Sequence, residues 1–219
     1  TQDNLLRNNN TASGLYSGNE NIFVQGIIFD TGAGATPCTP VAFGHCSNIT
    51  VADCGFTQIY SWHGIEYNAC TNSTILNCKF YDFQGVDADE EMIQLDNMGT
   101  SGRWPWDTAT TVYDGTPCTN ISISNCSFQN GSTGIGSHSY EAGNLHSNIS
   151  IDGCTFDSLT SYGIRDVTGE LYTISNCTFD TIGFVGIAHL NNPTNDWTIT
   201  GCTFSNMTLR AIQMAYVTG

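Results

Sequence analysis

One short motif occurs six times along this chain, and the repetition restricts the possible folds more than any other feature. Each copy alternates apolar and polar residues, passes a turn residue and ends in Cys–x–Phe. The copies are NITVADCGF (48–56), NSTILNCKF (72–80), NISISNCSF (120–128), NISIDGCTF (148–156), LYTISNCTF (171–179) and DWTITGCTF (196–204). An alternation of period two indicates a β-strand in every copy, and helical periodicity occurs nowhere.

A second strand-like segment follows each copy after a short link. These segments are GIEYN (64–68), MIQLD (92–96), GIGSHS (134–139), GIRDV (163–167), GIAHL (186–190) and AIQMA (211–215). Three short strands in a repeat of about 24 residues describe one coil of a right-handed parallel β-helix. The predicted fold is therefore all-β, a single-stranded solenoid of about seven rungs with three short parallel sheets.

Rungs stacked about 4.8 Å apart convert equivalent inward residues into continuous ladders. The predicted aliphatic ladder is Val51, Ile75, Ile123, Ile151, Ile174 and Ile199, and the aromatic ladder is Phe56, Phe80, Phe128, Phe156, Phe179 and Phe204. Residues 1–219 are interpreted as one domain, with an irregular segment at 1–20 and an inserted loop at 97–117. Because the chain starts at Thr1 and stops on a strand, we expect a fragment of a longer protein, or a partner capping the open end.

Six of the ten cysteines form a third ladder, at Cys54, Cys78, Cys126, Cys154, Cys177 and Cys202. Neighbours in one ladder lie about a rung apart, beyond the Cβ separation of a disulfide, so they are predicted to be small apolar fillers. Cys46, Cys70 and Cys118 are predicted to form a second stack, and Cys38 is left over. The disulfide state of these four stays open. No CxxC occurs and the histidines are scattered, so the spacing does not predict zinc.

Composition excludes several classes of partner. Lys and Arg number 5 against 20 Asp and Glu, a net charge of −15, so neither nucleic acid nor an anionic membrane is an expected partner. No apolar run approaches the length of a membrane span. A surface rich in hydroxyl groups and poor in charge favours an extracellular or virion-exposed protein. The nine Asn–x–Ser/Thr sequons indicate either glycosylation or, as we favour, a by-product of the repeat.

Over residues 21–219 this rung pattern resembles the pectin-lyase-like superfamily of parallel β-helices, which includes pectate lyases, polygalacturonases, alginate epimerases and phage tailspike depolymerases. In these enzymes the sheet made by the second strand set forms the polysaccharide groove. The resemblance therefore implies a polysaccharide partner, and tailspike-like relatives suggest a homotrimer. The polygalacturonase signatures NTD, DD, GHG and RIK and the epimerase signature YGFDPHE are absent from the chain.

Carrying the groove over to this chain selects residues on the second strands and the adjoining loops. The predicted catalytic residues are Glu66, Glu91, Asp96 and His138, and the predicted substrate-binding residues are Gln94, Trp104, Trp106, Asp114 and Arg165. Glu66 and Asp96 lie one rung and two residues apart, so their carboxyl groups are expected about 8 Å apart, within the range for glycoside hydrolysis. No cofactor is required, although Asp87, Asp89 and Glu90 offer a weak Ca²⁺ site.

Four functions remain open. Hydrolysis of a glycan in an acidic trough walled by the tryptophans is favoured. A non-catalytic glycan- or receptor-binding module, as in a phage tail fibre or adhesin, would use the same groove. A Ca²⁺-dependent lyase or epimerase is the third, with Arg165 as the base on this face. An ice-binding or structural solenoid is disfavoured because Ala52, Leu76 and Asp152 interrupt the rows of outward hydroxyl groups.

Overall fold

The computed structural model describes residues 6–8, 16, 18–32, 37–85, 87–99, 113–138, 143–190 and 196–214. Over these ranges the chain forms 22 strands, β1 to β22, and no helix. Consequently these residues contain no apolar helix long enough to cross a membrane. The strands make three parallel sheets with eight, seven and seven members.

Each strand pairs with the strands three positions before and after it, which is the connectivity of a coil with three sides. Sheet 1 contains β1 (Leu6–Arg7), β4 (Val41–Gly44), β7 (Ile65–Asn68), β10 (Glu91–Asp96), β13 (Thr133–Gly136), β16 (Tyr162–Asp166), β19 (Val185–His189) and β22 (Arg210–Met214). Sheet 2 contains β2 (Glu20–Gln25), β5 (Ser47–Ala52), β8 (Thr71–Leu76), β11 (Thr119–Ser124), β14 (His146–Asp152), β17 (Gly169–Ser175) and β20 (Thr198–Thr200). Sheet 3 contains β3 (Ile28–Asp30), β6 (Gly55–Thr57), β9 (Lys79–Tyr81), β12 (Ser127–Gly131), β15 (Thr155–Leu159), β18 (Thr178–Ile182) and β21 (Thr203–Ser205).

Strand register confirms the predicted ladders. The aliphatic residues of sheet 2 pair directly from Val51 to Ile199. In sheet 3 the phenylalanine rings stack face to face, with centroids 4.6 to 5.0 Å apart. Phe29 extends this stack by one rung, although its own segment lacks the Cys–x–Phe motif. The core is therefore a column of identical layers rather than a single central cluster.

The cysteines are all free thiols, which settles the state of the four that the sequence left open. Ladder thiols lie against the backbone, as Cys54 Sγ does at 3.2 Å from the carbonyl oxygen of Ala52. The second stack is also present, since the backbone N–H of Cys70 points at Cys118 Sγ from 3.4 Å. Both ladders fill space beside the turns without cross-linking the coils.

Thiol labelling should reflect this burial. Cys202 is half-buried and the other nine cysteines are buried, so we expect a thiol reagent to modify Cys202 first in the folded protein and all ten after denaturation. Burial also raises the pKa of Cys202, which slows its reaction. Mass spectrometry after alkylation with and without denaturant measures both counts, and rapid native labelling at several sites would contradict the buried ladders.

An asparagine ladder marks the corner where sheet 2 begins. Asn72, Asn120 and Asn148 all have positive φ, near 50 to 56°, a conformation that asparagine tolerates. Asn120 Nδ2 donates to Asn72 Oδ1 at 3.0 Å, and Asn148 Nδ2 donates to Asn120 Oδ1 at 2.7 Å. These sequon side chains bond to one another along the coil, which supports the interpretation that the repeat itself generates the tripeptide.

The two segments expected to be irregular differ from each other. Within 1–20, Leu6–Arg7 forms a short strand that pairs with β4, so this segment is not wholly irregular. In the insertion, the described residues 97–99 and 113–117 contain no strand. Asn97 Nδ2 donates to Gly115 O at 3.0 Å, and this bond ties the two ends of the insertion together.

Candidate functional site

The second strand set forms sheet 1, and its register brings the candidate residues onto neighbouring strands. Glu66 pairs with Gln94, and Asn68 pairs with Asp96. On the next strand Gln94 pairs with Gly136, and the backbone N–H of His138 donates to Asp96 Oδ1 at 2.7 Å. The site cluster, defined as His63, Glu66, Asn68, Glu91, Gln94, Asp96, His138 and Arg165, is centred on these strands.

His138 lies at the centre of the site cluster. Its Nε2 is 2.6 Å from Glu91 Oε2, and its Nδ1 is 3.7 Å from Asp96 Oδ2. Burial opposes the charged ring, but the negative charges of Glu91 and Asp96 outweigh it and raise the pKa of His138 to about 9. At neutral pH this histidine is therefore an imidazolium held between two carboxylates.

Gln94 connects His138 to Asp96. Its Nε2 donates to Asp96 Oδ2 at 2.6 Å and lies 3.0 Å from His138 Nδ1, while its Oε1 has no partner among the described residues. A neutral Nδ1 accepts a hydrogen bond from this amide, whereas a protonated Nδ1 requires the amide oxygen instead. The orientation of the Gln94 amide and the protonation of His138 are therefore coupled.

Glu66 is the carboxyl group in the site cluster that lacks a complete set of partners. Its Oε1 accepts a hydrogen bond from Asn68 Nδ2 at 2.9 Å, and its Oε2 is buried with no hydrogen-bond partner in the described part of the chain. Burial raises the pKa of Glu66 to about 8, in spite of the Asn68 bond, and the negative charge of Asp96 adds to the rise. Glu66 is therefore mainly protonated at neutral pH.

Each carboxyl oxygen of Glu91 contacts a basic side chain. Its Oε2 faces His138, and its Oε1 accepts from Arg165 Nη1 at 3.4 Å. Arg165 also pairs closely with Asp89, so its guanidinium is committed to two carboxylates rather than free to act as a base. Gly136 makes room for this arrangement, because a Cβ there would lie 2.6 Å from Glu91 Cγ.

The acidic loop does not converge as a calcium site. Glu90 Oε1 accepts from Ser61 Oγ at 2.5 Å, and Glu90 Oε2 accepts from the backbone N–H of Asp87 at 2.8 Å. Asp89 turns towards Arg165. The carboxyl groups of Asp89 and Glu90 thus make separate contacts, and the contacts of Asp87 involve its backbone. The ligand-type side chains that do converge, within the described ranges, are His63, Glu91 and His138.

The sequence interpretation did not select Asn68 for the site cluster, and it also missed His63. Its Nδ1 lies 3.0 Å from the carbonyl oxygen of Glu91 and 3.6 Å from Glu91 Oε2, and its ring centroid is 5.5 Å from that of His138. Ile65 pairs with Ile93, so extending this register back by two residues sets His63 beside Glu91. Aligning the segments before each second strand, and not only the strands, would have revealed it.

The site cluster is largely buried, which contradicts the open trough expected from the sequence. Glu66, Glu91 and Asp96 were expected to face solvent, yet they are 2%, 0% and 4% exposed. Solvent reaches the cluster at the side chains of His138 and Arg165, which are 14% and 17% exposed. Strand alternation determines which way a side chain points but not what covers it, and this is why the expectation was wrong.

Three predicted substrate-binding residues are not part of the site cluster as the structure describes it. Asp114 Oδ1 is 3.7 Å from Nε2 of His45, which follows β4, and accepts from the backbone N–H of Thr116 at 3.0 Å, and neither partner belongs to the site cluster. Trp104 and Trp106 fall outside the described residues.

A second buried acidic group lies on strand β16. Asp166 accepts from Tyr172 OH at 3.0 Å, lies 2.7 Å from His189 Nδ1 and accepts from the backbone N–H of Gly169 at 2.7 Å. Burial opposes its charge, but these hydrogen bonds and the neighbouring histidines lower the pKa of Asp166. His189 is fully buried, and its contact with Asp166 makes it a core histidine with a polar partner.

Comparison with known proteins identifies a family with this architecture. The family described as the right handed beta helix region matches residues 107–218, just over half of the chain. The chain belongs to this family. The match confirms the predicted right-handed β-helix. A comparison of this β-helix protein with curated protein sequences finds no match.

Solved structures similar to the β-helix protein include a bacterial adhesin and a viral protein. The surface adhesin PfbA of Streptococcus pneumoniae superposes with a TM-score of 0.67 at 18% identity, covering 90% of this chain and 57% of the adhesin chain. Geobacillus virus E2 ORF18 superposes with a TM-score of 0.59 at 14% identity, covering 90% of this chain and 43% of the viral chain. At these identities the likeness establishes the fold, and this chain spans about half the length of those proteins.

The site cluster gives this β-helix protein three chemical capabilities. Glu66 holds a proton at neutral pH, Asp96 is anchored by the His138 backbone and by Gln94, and His138 bridges two carboxylates. A buried carboxyl group that retains its proton beside a second carboxyl group suits acid–base work. Two imidazoles and a carboxylate that converge also suit a metal ion.

Proposed function

We propose that this chain acts on polysaccharide outside the cell or on a virion surface, and that it hydrolyses a glycosidic bond with Glu66 as general acid and Asp96 as its carboxylate partner. The observation that carries the proposal is the buried Glu66 carboxyl group. Its pKa of about 8 keeps it protonated at neutral pH, and its Oε2 has no competing partner among the described residues.

Glycoside hydrolysis requires this combination of groups. One carboxyl group must donate a proton to the leaving oxygen while a second, ionised one acts as base or nucleophile. Asp96 accepts hydrogen bonds from the His138 backbone N–H and from Gln94, and these bonds fix the position of its carboxyl group. Adjacent strands carry Glu66 and Asp96 at positions two residues out of register, which supports a separation near 8 Å.

The charge of the site favours a particular class of glycan. With a net charge of −15 on the chain, a polyuronate would be repelled unless a cation bridged it, so we propose a neutral or cationic polysaccharide. His138 and Arg165 are the partly exposed members of the site cluster and would meet the sugar first. Ca²⁺ is not required in this scheme, and neither nucleic acid nor membrane is a partner.

A second candidate is a non-catalytic glycan- or receptor-binding module. The near-complete burial of Glu66, Glu91 and Asp96 favours it, because a reacting carboxyl group must reach its substrate. The fold likeness to a surface adhesin is compatible with this role. On this alternative the site cluster stabilises sheet 1, and the sugar binds at the His138 and Arg165 edge.

Release of reducing ends from a polysaccharide panel tests the proposal. We expect cleavage of at least one glycan, and we expect Glu66→Gln to lower the rate by about 100- to 10,000-fold, as loss of a general acid does. Glu170→Gln changes a carboxylate on sheet 2 and should leave the rate unchanged. Binding without cleavage would support the module instead, and an unsaturated product lost on chelation would support a lyase.

A further inference from the structure

We propose that His63, Glu91 and His138 bind one divalent transition-metal ion of the zinc class. The three side chains come from three successive coils, before β7, on β10 and after β13. Their ligand atoms all lie within 4.8 Å of one another. The proposed hydrolysis requires no metal ion, although the two sites share His138.

The distances need only a small adjustment to receive an ion. Glu91 Oε2 is 2.6 Å from His138 Nε2 and 3.6 Å from His63 Nδ1. Ligand atoms that share one tetrahedral zinc ion lie roughly 3.3 Å apart, given metal–ligand bonds of about 2.0 to 2.2 Å. The 2.6 Å contact therefore opens by less than an ångström and the 3.6 Å contact closes slightly, while His63 Nδ1 gives up its hydrogen bond to the carbonyl oxygen of Glu91. The ion would occupy the place where a hydrogen bond now joins His138 to Glu91.

The identity of the donors selects the class of ion. Two imidazole nitrogens and one carboxylate oxygen form the three-ligand set typical of zinc sites that keep a fourth position open. Ca²⁺ takes six to eight oxygen ligands, and Mg²⁺ also prefers oxygen, so this set disfavours both. The ten thiols would compete for zinc only if they could approach it, and nine of them are buried, eight in the two ladders and the ninth at Cys38.

A supporting contact already orients one of the three ligands, because the second oxygen of Glu91 accepts from Arg165 at 3.4 Å. A His138 bound to an ion through Nε2 carries its proton on Nδ1 and needs the Gln94 amide oxygen as acceptor. The Gln94 amide must therefore turn over, because its Nε2 now lies 3.0 Å from Nδ1. Such contacts to the far side of a ligand are characteristic of protein metal sites. His63 follows Trp62, whose φ of 140° is unusual for a bulky residue and holds the chain in a fixed, strained turn beside the strand.

Titration of the full chain with ZnCl₂ by isothermal calorimetry, in non-chelating buffer, tests the site. We expect one ion per chain, with His63→Gln and Glu91→Gln each weakening the affinity at least about 10-fold, the lower end of the loss seen even for outer contacts of a metal site. Glu20→Gln removes an exposed carboxylate on β2 and should bind like the unaltered chain. Unchanged affinity in folded His63→Gln, or no binding by the unaltered chain, would overturn the proposal.

The absorption spectrum with Co²⁺ in place of Zn²⁺ tests the site in the unaltered chain. This second test does not depend on whether a variant folds. In the unaltered chain we expect visible absorption of a four- or five-coordinate cobalt ion without a thiolate-to-cobalt charge-transfer band. A thiolate band would assign the ion to cysteine, and the weak spectrum of the hydrated ion would exclude the site. CaCl₂ and MgCl₂ in the calorimeter should give no comparable heat, and equal binding of Ca²⁺ would contradict the ligand assignment.

Discussion

Phe128→Ala is expected to lower the free energy of unfolding by about 3 to 5 kcal/mol, the range typical of truncating a fully buried phenylalanine. The ring is buried in the middle of the sheet 3 stack, with Phe80 at 5.0 Å on one side and Phe156 at 4.7 Å on the other. Its removal leaves a cavity and interrupts the stacking of both neighbours. In a solenoid each rung contacts only its neighbours, so no distant part of the core can collapse into the gap.

Equilibrium unfolding in urea, followed by circular dichroism, measures this loss. Phe23→Ala is the matched control, because the same ring on β2 is 65% exposed and its truncation should change stability by no more than about 0.5 kcal/mol. Phe204→Ala should fall between the two, since Phe204 is half-buried and stacks on Phe179 alone among the described rings. Equal losses for Phe128 and Phe23 would show that the stack does not stabilise the coil.

The ladders were predictable because each coil repeats the one before it. The strand register alone then determines which side chains contact one another. Once Ile75 and Ile123 occupy equivalent positions, the pairing of every neighbouring residue follows, and the structure reproduces it. Phe29 shows the limit of the motif as a guide. Its rung lacks the cysteine, yet the same register brings its ring onto Phe56 at 5.0 Å.

The candidate site was only partly predictable, for two physical reasons. Alternation along β7 correctly sets Glu66 on the face away from the core, but burial of that face depends on chain elsewhere that obeys no repeat. The acidic loop is also outside the repeat, so nothing in the sequence indicates that Glu90 bonds Ser61 while Asp89 pairs with Arg165. His63 lies just before a repeated strand, so the repeat determines its position only in part.

Buried acid–base groups should make this protein more stable at mildly acidic than at mildly alkaline pH. The pKa of Glu66 is about 8 in the folded chain against an ordinary value of 4.5, so the folded chain retains a proton that the unfolded chain releases. Stability then falls as pH rises through this interval. His138, with its pKa raised from 6.5 to about 9, acts in the same direction above pH 6.5. Burial lowers the pKa of His63 and of His146, and these two oppose the trend only below about pH 6.5.

The interval from pH 6.5 to 8 therefore isolates Glu66 when the chain is compared with Glu66→Gln. Each retained proton changes the free energy of unfolding by about 1.4 kcal/mol per pH unit, so the unaltered chain should lose about 2 kcal/mol more than the variant across this interval. His138 and the ten thiols contribute to both proteins, so their effects cancel in the difference. Urea unfolding at four pH values, with chelator present, gives the two curves. Parallel curves would mean that Glu66 is already ionised in the folded chain, and the general acid proposed for the site would then have no proton to donate.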